Sequence, residues 1–421
     1  MVVRKSEVFN HRSTDVKSAG AWRETDSSGA KSSFHRHKVG GDGTSFRYCF
    51  DCGSTASSSL GRFLFRDRRG WLGALLFAVL CAVFLSCGGR QGETQGEKEQ
   101  AAPRKAPVGK VIVYTALDQL YSEVILKRFQ EKTGITVEAV YDSEAAKTTG
   151  LVNRLIAEKE RPRCDVFWNN EIIRTIRLKE MQLLEKYQPA SAQEIPASFK
   201  DPEGYWTGFA ARARVLAYNT RNCDPARLPK SITELTDQHW KSRIGMAYPL
   251  FGSTSTHAAV LWSHWGQERA RAFFQGLKAN GVVIFDGNMT AARAVADGEI
   301  DFCLTDTDDA HMLRGEGKSI DWVLLDHDGQ GALLIPNSVA LIRNAPHSKE
   351  GRMLIEYLLS PEVEAALASS QSAQIPLHPG VQAPPKVKEM ARGPFLGVDF
   401  QKAAGQIEPS AEVLKTLFAQ P

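Results

Sequence analysis

Between residues 111 and 179, short apolar runs alternate with segments of helical period, and that alternation restricts the chain to a parallel sheet covered by helices. Residues 111–115 (VIVYT) read as a buried strand. Leu120, Val124 and Phe129 then recur near helical spacing until Gly134. Residues 135–141 (ITVEAVY) are a second strand, and Leu151, Val152, Leu155 and Ile156 mark one face of a helix over 145–160. Residues 165–168 (DVFW) make a third strand, followed by a helix from Glu171 to Lys179.

The theme continues further along. Strands are predicted at 215–218, 244–247, 282–285, 301–304 and 340–342, and helices at 254–265, 289–297, 348–359 and 361–368, with a capped helix start at 231–235. No fixed-period repeat is present. The hydrophobic fraction of 43% and charged fraction of 24% suit a globular body.

The first 110 residues are of another kind. Residues 71–85 (WLGALLFAVLCAVFL) are apolar throughout and follow Arg66, Arg68 and Arg69, the layout of a secretory signal, and the run is short for a membrane span of about 20 residues. It runs into Phe84-Leu85-Ser86-Cys87-Gly88, which resembles a bacterial lipobox with Cys87 as the lipidated residue; an uncleaved anchor helix is the alternative. Residues 1–65 are rich in Ser, Gly and basic side chains without periodicity, and read as a disordered extension or a start site placed too early. Residues 66–87 are the signal segment and 88–109 a Gly/Gln/Glu-rich tether.

Charge follows the same division. Residues 1–90 hold 14 Lys/Arg against 7 Asp/Glu, so the net +4 of the chain comes from there and the remainder is −3. The body offers no basic field for nucleic acid. Cys49 and Cys52 form a lone CxxC without a second ligand pair, and Cys164, Cys223 and Cys303 read as small buried hydrophobes.

Ligands bind open parallel sheets at the carboxyl ends of the strands, and polar residues collect there. Asp118 follows the first strand, Asp142 and Ser143 the second, Asn170 and Glu171 the third, and Asp306, Asp308 and Asp309 follow residues 301–304 (DFCL). Carboxylates brought together repel, so a hard cation or a donor-rich ligand would stabilise them. The alternative for each is a helix cap; one helix start needs only one cap, so the run 306–309 exceeds that use. Ser253 and Thr254 enter a helix and offer hydroxyls and free N–H groups to a polar ligand or to a cap. Arg212 and Arg214 lie before a strand, available to an anion or to those carboxylates. His257 and His264 share a helix face two turns apart, too far for one metal. No GxSxG, HExxH, P-loop or dinucleotide fingerprint occurs, so the chain is not expected to be an enzyme.

Four blocks, VYTALDQLYSEVILKRFQEKTGITVEAVY, DVFWNNE, GYWTGFAARARVLAYNT, and LLSPEVEAALA followed by QIPL, together resemble the bacterial periplasmic ferric-ion-binding proteins, solute-binding components of ABC importers. The resemblance spans about residues 110–380. It implies a two-lobed periplasmic-binding-protein fold of type II-like α/β architecture with crossing hinge strands. Residues 110–210 with about 331–374 would form one lobe, and 211–330 with about 375–421 the other. It also implies a monomeric, extracytoplasmic receptor that hands its ligand to a permease and ATPase.

The metal motif departs from the family. Where the ferric proteins carry adjacent tyrosines, this chain has Asp308 and Asp309; the family histidine matches Asp118, its glutamate Asn170 or Glu171, and its anion-holding arginine Arg212. The resemblance therefore implies Asp118, Glu171, Asp308 and Asp309 as metal ligands for Fe³⁺ or another hard cation, with a synergistic anion. A small polar organic molecule or an oxyanion is the alternative cargo, and an extracellular carboxylate-dependent hydrolase a remote one.

Overall fold

A computed structural model describes residues 108–142, 148–326 and 328–419. The signal segment, Cys87, the CxxC and Ser143 lie outside them. Strand β1 (Gly109–Thr115) leads to helix α1 (Gln119–Thr133), β2 (Ile135–Tyr141), α2 (Thr149–Ala157), β3 (Val166–Asn169), α3 (Ile173–Glu180) and the two-residue β4 (Leu184–Glu185). Gly134 ends α1 in the left-handed region at φ 73°, where its N–H reaches Gln130 O at 2.8 Å, a closure that favours glycine.

Strand β5 (Thr207–Asn219) is followed by β6 (Ile244–Ala247), α4 (Gly252–Trp265), α5 (Gln267–Ala279), β7 (Val283–Phe285), α6 (Asn288–Asp297), β8 (Phe302–Asp306), α7 (Thr307–Gly315), β9 (Ile320–Val323) and β10 (Leu334–Ile342). The chain closes with α8 (Ser348–Leu358), α9 (Pro361–Ser369), α10 (Pro385–Met390), α11 (Phe400–Ala404) and α12 (Ile407–Leu417).

The strands run in the order β2-β1-β3-β10-β5-β8-β6-β7, with β4 beside β10 and β9 beside β5. Strands β1, β2 and β3 are parallel to one another, as are β6, β7 and β8. Between these groups β10 and β5 pair antiparallel. Strand β5 is the crossover. Its residues from Thr207 to Ala213 face β10, and those from Arg214 to Tyr218 face β8. The result is a two-lobed α/β fold with the lobes meeting along β5. Apolar side chains build separate clusters on either side, one around Val113, Phe129 and Leu341 and another around Leu216, Trp262 and Phe302. Val387 and Met390 pack into the first cluster and Leu414 into the second.

Two strands are much longer than sequence patterning suggests. All thirteen residues of β5 are buried, so it shows no alternation, and Arg212 and Arg214 lie inside it rather than before it. Strand β10 begins six residues before the expected start because Pro336, Asn337 and Ser338 hide it; all nine of its residues are buried. The expected helix start at 231–235 is only a short 3₁₀ turn at Thr233–Thr236.

Near the crossover the backbone is irregular in both strands. Ala210 has φ 42°, and the β10 register shifts between Pro336 and Asn337. Buried side chains hold this conformation. Asn337 Nδ2 donates to the Ala210 carbonyl, and Glu364 Oε1 accepts from the Ala210 N–H at 2.7 Å. Such left-handed alanine geometry persists only where surrounding bonds over-determine it.

Candidate functional site

The carboxyl ends of β1, β3 and β8 open on one cavity of about 30 Å³. Its walls include Asp118, Asn170, Arg212, Ser253, Asn288 and the carboxylates of Asp306, Asp308 and Asp309. The first turns of α4, α6 and α7 converge on it, so three helix dipoles present their positive ends to the acidic groups. Gly252, at φ 51°, makes the turn that brings the start of α4 to the wall.

Asp306, Asp308 and Asp309 each contribute an oxygen to a group lying within 4.8 Å of one another. The three are used differently. Asp306 occupies the N-cap position of α7, yet its side chain makes no cap bond. It accepts instead from Arg214 Nη1 at 2.9 Å, from Asn288 Nδ2 at 3.1 Å and from the Ser253 hydroxyl. Burial by itself would raise its carboxyl, but Arg214, Arg212 and Ser253 outweigh that and hold it below the usual range. Asp308 lies 3.3 Å from Arg212 Nε, and Asp309 accepts from Thr305 Oγ1 at 2.8 Å. Asp118 stands at the N-cap position of α1, again without a side-chain cap bond, and faces the cavity from the other lobe.

Arg212 is 2% exposed. Its Nη2 donates to the Asn170 carbonyl, while its buried Nη1 makes no hydrogen bond within the protein. Burial works against its charge, but Asp308, Asp306, Asp309 and Asp118 outweigh this and raise its pKa. Among the described residues, Asp306 and Asp308 lie against Arg212, and Asp306 pairs with Arg214.

Other expected site residues go elsewhere. Glu171 is fully buried and does not line the cavity. It accepts from the backbone N–H groups of Ile173 and Arg174 at 2.6 and 3.0 Å, from Asn169 Nδ2 at 2.8 Å and from Thr256 Oγ1 at 2.8 Å. Every lone pair direction is used in capping α3 and tying it to α4, so the expected metal-ligand role gives way to a structural one. Glu171→Gln is expected to cost about 2–4 kcal/mol of stability, since buried N–H donors lose a charged acceptor; urea unfolding measures it, and a change under about 0.5 kcal/mol would contradict the assignment.

Thr254 also sits behind the wall, donating to Asn288 Oδ1 at 2.9 Å. His257 is buried, and burial followed by the Arg214 charge lowers its pKa to about 3, which keeps the imidazole neutral, whereas His264 is exposed. Asn288 was not among the expected site residues, while Arg214, read as available to an anion or to the carboxylates, pairs with Asp306. The signal for Asn288 was present, because Gly287-Asn288 follows β7 as Asp118 follows β1.

The family model described as "Bacterial extracellular solute-binding protein" matches residues 175–404. The "Major ferric iron-binding protein" of Neisseria meningitidis serogroup A is 27% identical over 281 residues, covering 64% of this chain and 82% of that protein. "Iron uptake protein A1" of Synechocystis is 26% identical over 269 residues, covering 61% and 71%. Among solved structures, iron-bound HitA from Pseudomonas aeruginosa superposes with TM-score 0.66 at 28% identity, covering 73% of this chain and 99% of that one.

Proposed function

The chain belongs to the bacterial extracellular solute-binding protein family, and on that premise we propose that it is the receptor of an ABC importer that captures ferric iron or another hard cation between its lobes. The observation that carries this reading is the trio of carboxylates within 4.8 Å of one another above two buried guanidinium groups. Hard cations prefer oxygen donors, and carboxylate oxygens held within 4.8 Å of one another repel, which a bound cation relieves. Asp308, Asp309 and Asp118 supply the donors. Asp306 holds Arg214 and the starts of α4 and α6 in place. Arg212, which lines the cavity, is left to meet an anion that accompanies the metal.

The relatives whose names refer to iron support the choice of metal. The receptor hands its cargo to a membrane permease driven by an ATPase. A lipid on Cys87 and the tether over 88–109 would keep it at the outer face of the cytoplasmic membrane. Chelator-stripped protein should gain about 2.7 kcal/mol of stability at a ferric concentration one hundred times Kd. Thermal unfolding with and without metal measures this, with elemental analysis of the natively purified protein alongside. No shift with ferric iron or any divalent hard cation, together with a retained organic molecule in the native mass spectrum, would replace the metal with a polar organic cargo.

A further inference from the structure

Strand β5 carries one residue more than β10 where the two run together toward the second lobe. Ala211 pairs with Pro336 and Phe209 with Asn337, so Ala210 has no partner in β10. Such a bulge fixes the register of everything beyond it. Beyond this one lie Arg212 and Arg214, which alternate along the strand with Ala211, Ala213 and Val215 of the first apolar cluster. A slip of one residue would exchange the two sets and send guanidinium groups into the core. Alanine methyl groups bury little area, so they hold that register only weakly.

A buried carboxylate holds it instead. Glu364, on α9, is inaccessible to solvent and does not line the cleft cavity. Its Oε1 accepts from the Ala210 N–H at 2.7 Å and from the Leu377 N–H at 2.9 Å, and its Oε2 accepts from the His378 N–H at 2.8 Å. His378 Nδ1 lies 2.9 Å from the same Oε2, and its Nε2 lies 2.9 Å from the Ser191 carbonyl. One residue further along β5, Ala211 exchanges both backbone bonds with Ile375 at 2.7 Å. The bulge is therefore anchored from outside the β5–β10 pair, at the residue of β5 whose φ is left-handed.

We propose that Glu364, braced by His378, is a positioning residue for the cleft: by holding Ala210 left-handed it fixes where Arg214 meets Asp306 and Arg212 meets Asp308. The functional consequence rests on the reading of the cleft as a metal site, whereas the positioning is a property of the ligand-free protein.

Two measurements on the full chain test it. One is the Arg212 Nε–H signal in the NMR spectrum of the ligand-free protein, identified by its loss in Arg212→Lys; the other is ferric affinity by isothermal titration. Glu364→Gln is expected to shift the Arg212 signal, to speed its hydrogen exchange about tenfold and to weaken ferric binding about tenfold. Glycine adopts a left-handed φ without steric penalty, so adding Ala210→Gly is expected to restore most of both. A carboxylate that only supported residues 375–378 would not be rescued from Ala210. His378→Gln puts an amide at the Nε2 position, keeping the Ser191 bond and giving up the one to Glu364. It is expected to change the same signal by a smaller amount, again restored by Ala210→Gly, and it decides the matter if Glu364→Gln does not fold. An Arg212 signal unmoved in either folded variant, or unmoved back by Ala210→Gly, overturns the proposal. If the signal shifts and is rescued while ferric ion fails to bind the unaltered protein, the metal reading falls and the positioning role stands.

Discussion

Asp306→Ala is expected to lower the stability of the ligand-free protein by about 3–5 kcal/mol. Asp306 is 4% exposed and pairs with Arg214, whose own side chain is equally inaccessible, while Arg212 Nε lies 3.9 Å away. Removing the carboxylate leaves a buried guanidinium short of its counter-charge and strips an acceptor from Ser253 and Asn288. The cost is that of stranding a charge, so removing both partners should recover much of it. Arg214→Met with Asp306→Leu is expected to be more stable than Asp306→Ala alone. Urea unfolding of the three variants measures this. A loss below about 1 kcal/mol in Asp306→Ala would show that the pair contributes little.

The same pair sets an acid dependence. The folded carboxyl is held below its ordinary value of 3.8, so the folded state binds its proton less readily than the unfolded chain does. Its contribution is present above the unfolded pKa and is lost as pH falls through the folded one. Apo stability should therefore decline below about pH 4, and Asp306→Asn should flatten that part of the profile.

Asp308→Asn with Asp309→Asn is expected to weaken ferric binding at least 100-fold. That corresponds to about 2.7 kcal/mol of metal-induced stabilisation removed at a concentration that saturates both proteins. Both amides keep the shape of the wall and give up the two charges that face the cavity. Apo stability should change by no more than about 1 kcal/mol, because relief of repulsion among the carboxylates offsets the lost attraction to Arg212. Thermal melts with and without ferric ion separate the two effects. A full metal shift in the double variant would move the donors elsewhere in the cleft.

Comparing Glu171 with Asp306 shows what sequence reading can and cannot reach. Both lie where a strand gives way to a helix, and both had a cap and a ligand as competing roles. Glu171 caps α3, while Asp306, at a cap position, gives its oxygens to Arg214, Ser253 and Asn288. Local pattern treats them alike. The difference arises from partners 85 and 92 positions away, Thr256 for the first and Arg214 for the second. Strand β5 hides Arg212 and Arg214 for a related reason: a strand buried on both faces has no alternation to betray its start.

Residue order alone dictates the α/β alternation, the strand ends where polar residues gather, and the acidic run at 306–309, because these depend on periods of two and 3.6 residues and on parallel strands sharing one polarity. Tertiary packing settles which carboxylates meet and that Arg214 and Asn288 hold Asp306. Those outcomes depend on where β5 passes from β10 to β8 and brings α1 opposite α6 and α7, and such long-range pairing leaves no local trace in the order of residues.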